Sequence, residues 1–539
     1  MSGKLQAVSN ATLGFLGLNT QEAGVTLESG YATRALNCII DKSGRLGSRR
    51  GWQPLTEYEN DLESNNYIES LFEFIDVDRT STIFSAGNGY LFTGTSTLTS
   101  LDIYGPDSGG PVPLATQPVF TGNRWQFAQL AEDAGPGASM YGFAVQNGNK
   151  ALVYRRAGHS GTFHFQTIGD YGSIPSGVTT FDPDCVHAAF GRIWMAGVSG
   201  SKSTIYYSKL LDGATFTGTG AGLIDTAVSV GNNDEVVAIS SHNDYLVVFC
   251  KRNIIVYKGA DSPSGTASEN GLTVVDVING VGCVARDSVQ QTGTDLIFLS
   301  ASGVRSFNRV VQEKSMPMRE LSLNIRDDLV NYINGENSNS IRSVYFERDA
   351  FYLLVLPGLN QTIYFDLRAA LPNGAARATI WDNFAPKALL ATSTRSLYLG
   401  MQGGIGYYFG YTDNGASYRL EYYTQNTDVG SPFALKFLKK AKVIIVASGS
   451  QDVIIKYGFD YKASYQSRTY TKDFLGTSSQ YNISEYNIGE FTSGTSINEL
   501  DINLGGSGKI LQFGVEVPIE GAPISLQQLT VYLKLGKMI

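Results

Sequence analysis

Along most of the chain the apolar positions come in short unbroken runs, not in alternation with polar ones. The stretch NDYLVVFCKRNIIVYKG, starting at Asn243, shows the pattern. Leu246, Val247, Val248 and Phe249 are followed by a polar turn and then by Ile254, Ile255, Val256 and Tyr257. A strand with one wet face alternates, so unbroken runs of strand length predict sheets covered on both faces. Hairpins of the same style recur in STIFSAGNGYLFTG, YGFAVQNGNKALVYRR, AAFGRIWMAGVSGSKSTIYYSK, TDLIFLSASGVRSFNR, DAFYLLVLPGLNQTIYFD and TRSLYLGMQGGIGYYFG. Their turns fall about 45 to 60 residues apart, which suits one four-stranded propeller blade per repeat. Radially stacked blades bury each sheet between two neighbours. The expectation is an all-β fold with a β-propeller of six or seven blades over residues 61–425, the first unit being able to donate a closing strand instead of a whole blade.

Two interruptions and one change of pattern complete the layout. In residues 318–335, Leu321, Ile325, Leu329, Val330 and Ile333 stand near helical spacing ahead of an Asn-Gly stop, predicting a short amphipathic helix between blades. Residues 104–120 are rich in Pro and Gly and read as an exposed loop. After about residue 430 the runs give way to two long strands and then to alternation, as at Leu511, Phe513, Val515 and Val517. Alternation means one wet face, so residues 426–539 are expected to form a C-terminal β-sandwich. Residues 1–60 are left as an N-terminal arm with the strand that leads into the propeller.

Composition agrees and narrows the function. Sixty glycines, 30 tyrosines and 27 phenylalanines in 539 residues favour short strands and tight turns over packed helices. The net charge of −8 argues against a broad phosphate-gripping surface, which would concentrate Lys and Arg. Cys38, Cys185, Cys250 and Cys283 lie far apart with no C-x-x-C, the pattern of buried free thiols. The first twenty residues lack the basic and apolar regions of a signal peptide, and no run approaches the roughly 20 apolar residues that span a bilayer.

Candidate chemistry is sparse. Four histidines occur without metal-ligand spacing, and G-x-S-x-G, P-loop and kinase signatures are absent from the sequence, so neither a catalytic centre, a metal site nor a cofactor site is expected. DNGASY at Asp413 overlaps part of the Asp-box turn of sialidase-type propellers, D-x-G-x-T-W, but Tyr411 stands where that motif has serine; Asp-Asn-Gly is also good hairpin-turn chemistry. A glycan-binding or glycan-cleaving propeller acting on a host surface therefore stays open as the alternative.

The ends of the chain carry a resemblance. GLNTQEAGVTLESGYATRALNCIIDKSGRLGSRRGW, residues 17–52, resembles the opening of the tail nozzle and tail hub proteins (tail tubular protein B-like) of short-tailed bacteriophages. The shared steps are Ala35-Leu36-Asn37 and then Gly44, Leu46, Arg49, Gly51 and Trp52 of G-x-L-x-x-R-x-G-[WF]. The closing stretch, residues 506–537, looks like the final strands of the same proteins. The resemblance implies a structural virion protein in the tail, assembled in the host cytoplasm as a homohexameric ring of propeller subunits that completes the DNA ejection conduit. It implies as partners a tail adaptor ring below the portal, a tail fibre, spike or plug protein, and double-stranded DNA in transit without sequence-specific binding. On that footing Arg45, Arg49 and Arg50 are expected beside the lead-in strand, with Trp52 packed on a blade. Their guanidinium groups would bind carbonyls or carboxylates of a neighbouring subunit or the adaptor, since Arg makes planar bidentate bonds that Lys cannot.

Overall fold

A computed structural model describes residues 6–10, 15–41, 44–59, 62–106, 112–132, 139–156, 163–231, 234–261, 271–313, 320–462, 464–474 and 496–538. Among these, seven mainly antiparallel sheets built on the predicted hairpins follow one another along the chain. Edge strands of six of them, with a 3-10 turn serving the fifth, touch in a circle. Ser70–Ile75 touches Gln126–Glu132, which touches Cys185–Ala189, which touches Val236–His242. The 3-10 turn Arg286–Ser288 carries the contact on to Arg342–Phe346, which meets Ala388–Ala391, and that strand returns to Ser70–Ile75. The circle of inner strands closes, so the chain contains a β-propeller.

The unbroken apolar runs are explained by this stacking. Leu246, Val248 and Cys250 pack with Trp194 and Ile205 of the third sheet. Their alternate neighbours Val247 and Phe249 pack with Leu296 and Phe298 of the fifth. Both faces of the fourth sheet are therefore core, and each such side chain contributes about 1.5–3 kcal/mol by leaving water. The fifth sheet has only three strands, and helix Phe307–Glu313 lies against it.

The helix expected over 318–335 is shorter. Residues 314–319 lie outside the described residues, and the α-helix runs Arg326–Gly335. Ahead of it, Leu321 donates its backbone N–H to the Val304 carbonyl, and buried Glu320 accepts from Arg305 at 2.6 Å. These bonds pin the chain to the fifth sheet and delay the first helical turn. Within 104–120 the described residues are mostly irregular, with Val112 and Val119 exposed; residues 107–111 lie outside them.

Closure uses the N-terminal segment. Trp52–Pro54 pairs with Gly404–Tyr408 as the fourth strand of the seventh sheet. The C-terminal strands fall into two sheets. One joins Ala434–Ala447, Ser496–Asn503 and Ile524–Met538; the other joins Tyr418–Thr424, Leu511–Ile519, Gly449–Phe459 and Gln466–Phe474. Val443, Ile445, Val515, Val517 and Leu529 share one core cluster between them.

The described residues of 1–60 do not form a separate arm. Leu46–Ser48 pairs with Cys38–Ile40 and with Ile524–Met538 in the first C-terminal sheet. Tyr31–Leu36 pairs with Tyr418–Thr424 in the second and touches Arg377–Asp382 through Leu36 and Ile380. The second sheet is thereby continuous with the sixth sheet of the propeller. The first and last parts of the sequence complete each other because each holds strands whose open edges only the other covers. All four cysteines are buried and without disulfides, and burial raises each thiol, Cys283 to about 11.

Candidate functional site

The GRLGSRRGW stretch sits where the seventh propeller sheet meets the two C-terminal sheets. It starts as a hairpin: the Arg45 backbone N–H and guanidinium both bond the Asp41 carboxylate, at 2.9 and 2.7 Å. Arg45 thus has a carboxylate partner within its own turn.

Arg49 departs furthest from the expectation of an interface. Its side chain is 0% exposed. The fork grips Asp413 through two bonds of 2.8 and 2.6 Å, while Nε donates to Asn37 Oδ1 at 2.9 Å and Nη1 to the Arg50 carbonyl at 3.0 Å. Its planar face lies 4.0 Å from the Tyr418 ring centroid and 4.9 Å from that of Phe384. Burial works against the charge, but Asp413 outweighs it and holds the guanidinium above its ordinary pKa. The bidentate bond foreseen for an arginine here exists, with a carboxylate of the same chain.

Asp413 is the residue that the sequence offers as hairpin-turn chemistry or as part of an Asp-box-like turn. Asn414 and Gly415 have φ of 49° and 83°, and Asp413 and Ala416 exchange backbone bonds of 2.8 and 2.9 Å, the geometry of a type I′ turn. The turn aims the carboxylate at Arg49. Asn37 joins the cluster by donating to the Arg419 carbonyl at 2.8 Å and to Asp382. Gly51 must be glycine because a Cβ would stand 1.9 Å from the Thr412 carbonyl oxygen. Trp52 packs against the seventh-sheet cluster, as expected for a residue seated on a blade.

Arg50 is different. Among the described residues its guanidinium has no hydrogen-bond or ion-pair partner. It lines a cavity of about 250 Å³ with Asp41, Arg348, Asp349, Tyr408 and Tyr411. Of the three arginines singled out in the sequence, Arg50 has no bonded donor on its guanidinium among the described residues, whereas Arg45 has its Nε on Asp41 and Arg49 is fully engaged.

A second polar cluster, unforeseen, braces the propeller axis. Five of its members lie just before or at the start of an innermost strand: Glu69, Arg124, Asp184, Arg342 and Lys387 for the first, second, third, sixth and seventh sheets. Arg286 and Asp287 come from the 3-10 turn ahead of the fifth. Arg124 Nε bonds Asp287 at 2.9 Å, Arg286 Nε bonds it at 2.7 Å, and Arg342 Nη1 stands 3.4 Å away. Arg286 also reaches Asp184 at 3.3 Å. Burial opposes the charge on Asp287, yet the three arginines hold its carboxyl well below the usual carboxylate range. The available signal was a charged residue directly ahead of an apolar run in each repeat, as in DPDCVHAAF and SIRSVYF.

No known protein-family model matches the chain, and no curated protein sequence does. Among solved structures it is similar to the extracellular domain of the hybrid two-component system BT3049 of B. thetaiotaomicron, at 13% identity and a TM-score of 0.39, over 68% of this chain and 43% of that one. It is also similar to the Neurospora crassa Pan2 WD40 domain, at 10% identity and a TM-score of 0.36, over 67% of this chain and 94% of that one. A third is the AfRom2 CNH domain, at 11% identity and 0.34, over 67% and 97%. The chain spans less than half the length of the first of these. At such identities and scores the likenesses carry no argument about function. No described helix is long and apolar enough to cross a membrane.

Proposed function

We propose that this chain is a structural subunit of a homohexameric ring in the tail of a short-tailed bacteriophage, forming part of the conduit through which DNA leaves the virion. The observation that supports this reading most is where the motif residues fall. Arg49, Gly51 and Trp52, which carry the resemblance, are the residues that lock the closing propeller strand to the C-terminal sheets. A signature concentrated on such joints suits a protein whose work is to keep its shape. The two C-terminal sheets are read as a β-sandwich, built with N-terminal strands and fused to the propeller. Arg50 and its cavity are taken as the place that receives a carboxylate of the neighbouring subunit or the adaptor ring, with a fibre, spike or plug protein docking elsewhere.

The conducting role rests on charge. Six chains of −8 would carry about −48, and a closed channel lined by one sign focuses that field. Each lysine or arginine paired with phosphate would add affinity and slow transit, so the conduit works by not binding DNA. The purified ring is expected to bind duplex DNA weakly, with a shallow dependence on salt in a filter-binding or anisotropy titration. Tight binding that falls steeply with salt would contradict the conducting role.

A further inference from the structure

Above the axial brace lies a cavity of about 410 Å³, lined by Arg124, Arg342, Lys387, Asn123, Asn339 and Gln146 among others. Three features distinguish it from the filling of a propeller axis. The first is charge. The lining holds three cations, Arg124, Arg342 and Lys387, against two carboxylates, Glu69 and Asp184. Lys387 has only a 3.9 Å contact with Glu69 and the Tyr67 ring face at 4.1 Å. The second is an orphaned acceptor. Gln146 is 7% exposed, lines the cavity, and its Oε1 has no hydrogen-bond partner. A buried acceptor left unmade costs about 1–3 kcal/mol, so such a group calls for a donor. The third is amide chemistry: Asn123 and Asn339 line the cavity with their Oδ1 atoms already taken, by the Gly89 N–H and by Arg124, so what they offer a ligand is amide N–H.

From this set we infer that the axial cavity is a binding site for a hydroxylated carboxylate of monosaccharide size, a uronic-acid type sugar, free or at the end of a glycan. Nε and Nη1 of Arg124 and Arg342 are already bonded within the chain, so Lys387 and the two remaining Nη2 donors take the carboxylate, and a ligand hydroxyl donates to Gln146 Oε1. Burial, against the opposing pull of Asp287, lowers the Arg342 guanidinium to about 10, with Arg124 and Arg286 adding to the lowering. A cavity of this volume is at the lower end of small-molecule sites. The site belongs to each subunit's own propeller axis, so it goes beyond the ring reading and stands or falls separately from it.

The test is calorimetric titration of the full chain with D-glucuronate, D-glucose, methyl β-D-glucuronide and inorganic sulfate. Glucuronate is expected to bind and glucose not. Methyl glucuronide binding as well as glucuronate identifies a glycan terminus as the source, whereas binding of glucuronate alone identifies the free acid. Lys387→Ala and Gln146→Leu, both checked for folding by thermal melts, are each expected to weaken binding about tenfold, the loss of one charge-assisted or one buried hydrogen bond. No heat with either glucuronate form, equal binding of glucose, displacement by sulfate at equal concentration, or unchanged affinity in both variants would overturn the assignment.

Discussion

Arg49→Ala is expected to destabilise the protein by about 3–5 kcal/mol, the usual cost of leaving a buried charge without its partner. The loss would be read as a lower denaturant midpoint at unchanged slope. The size follows from the site: a guanidinium with no exposed surface, four hydrogen bonds to Asp413, Asn37 and the Arg50 carbonyl, and an aromatic floor in Tyr418. Arg49→Lys should recover little, because an ammonium cannot bond both Asp413 oxygens and Asn37 together. The pair Arg49→Met with Asp413→Asn should be clearly more stable than Arg49→Ala, since it removes both charges and keeps the turn chemistry at 413. If Arg49→Ala costs less than about 1 kcal/mol, the joint is not held by this pair. The same result bears on the ring reading. Charge reversal at Arg49 would unfold the joint and say nothing about subunit contacts, which leaves Arg50 as the residue for that test.

Asp287→Asn should be the second most damaging single change, at about 3 kcal/mol, because it strips the shared carboxylate from Arg124, Arg286 and Arg342. It also carries a pH signature. The folded-state carboxyl is held well below its unfolded value of about 3.9, so the folded protein releases this proton more readily than the unfolded chain. Its contribution is complete above about pH 4 and is lost as the pH falls below that value towards the folded pKa. Thermal melts from pH 6 to pH 2.5 should therefore show wild type losing stability on the acid side more steeply than Asp287→Asn, with the gap between the two curves narrowing towards the lowest pH. Parallel curves would show that Asp287 does not hold the axis.

Much of the propeller could be read locally. Unbroken runs such as Leu246 to Phe249 encode burial on both faces, and burial on both faces requires neighbours on both sides. The alternation at Leu511, Phe513, Val515 and Val517 marked side chains of the core cluster shared by the C-terminal sheets, but not that the intervening Glu516 is buried as well. Partner choice could not be read, because strand preference depends on what a strand packs against and not on its own residues. Nothing in YATRAL says that it pairs with YRLEYYT near the other end of the chain, yet Leu36 and Glu421 are register partners. The candidate site failed for a related reason. Arg49 was rightly marked as a bidentate donor, but its acceptor, Asp413, lies 364 residues away and was concealed in a turn whose chemistry was complete without it. The axial cluster was still harder to see, since Arg124, Asp184, Asp287, Arg342 and Lys387 acquire meaning only when the inner strands close their circle.

The most direct test of the account is negative-stain imaging of the purified full-length chain beside its Arg50→Glu variant at equal concentration. Six-fold rings with a central hole for the wild type, and single subunits with an unchanged melting temperature for Arg50→Glu, are the predicted outcome. Wild-type particles of single-chain size, with neither symmetry nor a hole, would contradict it.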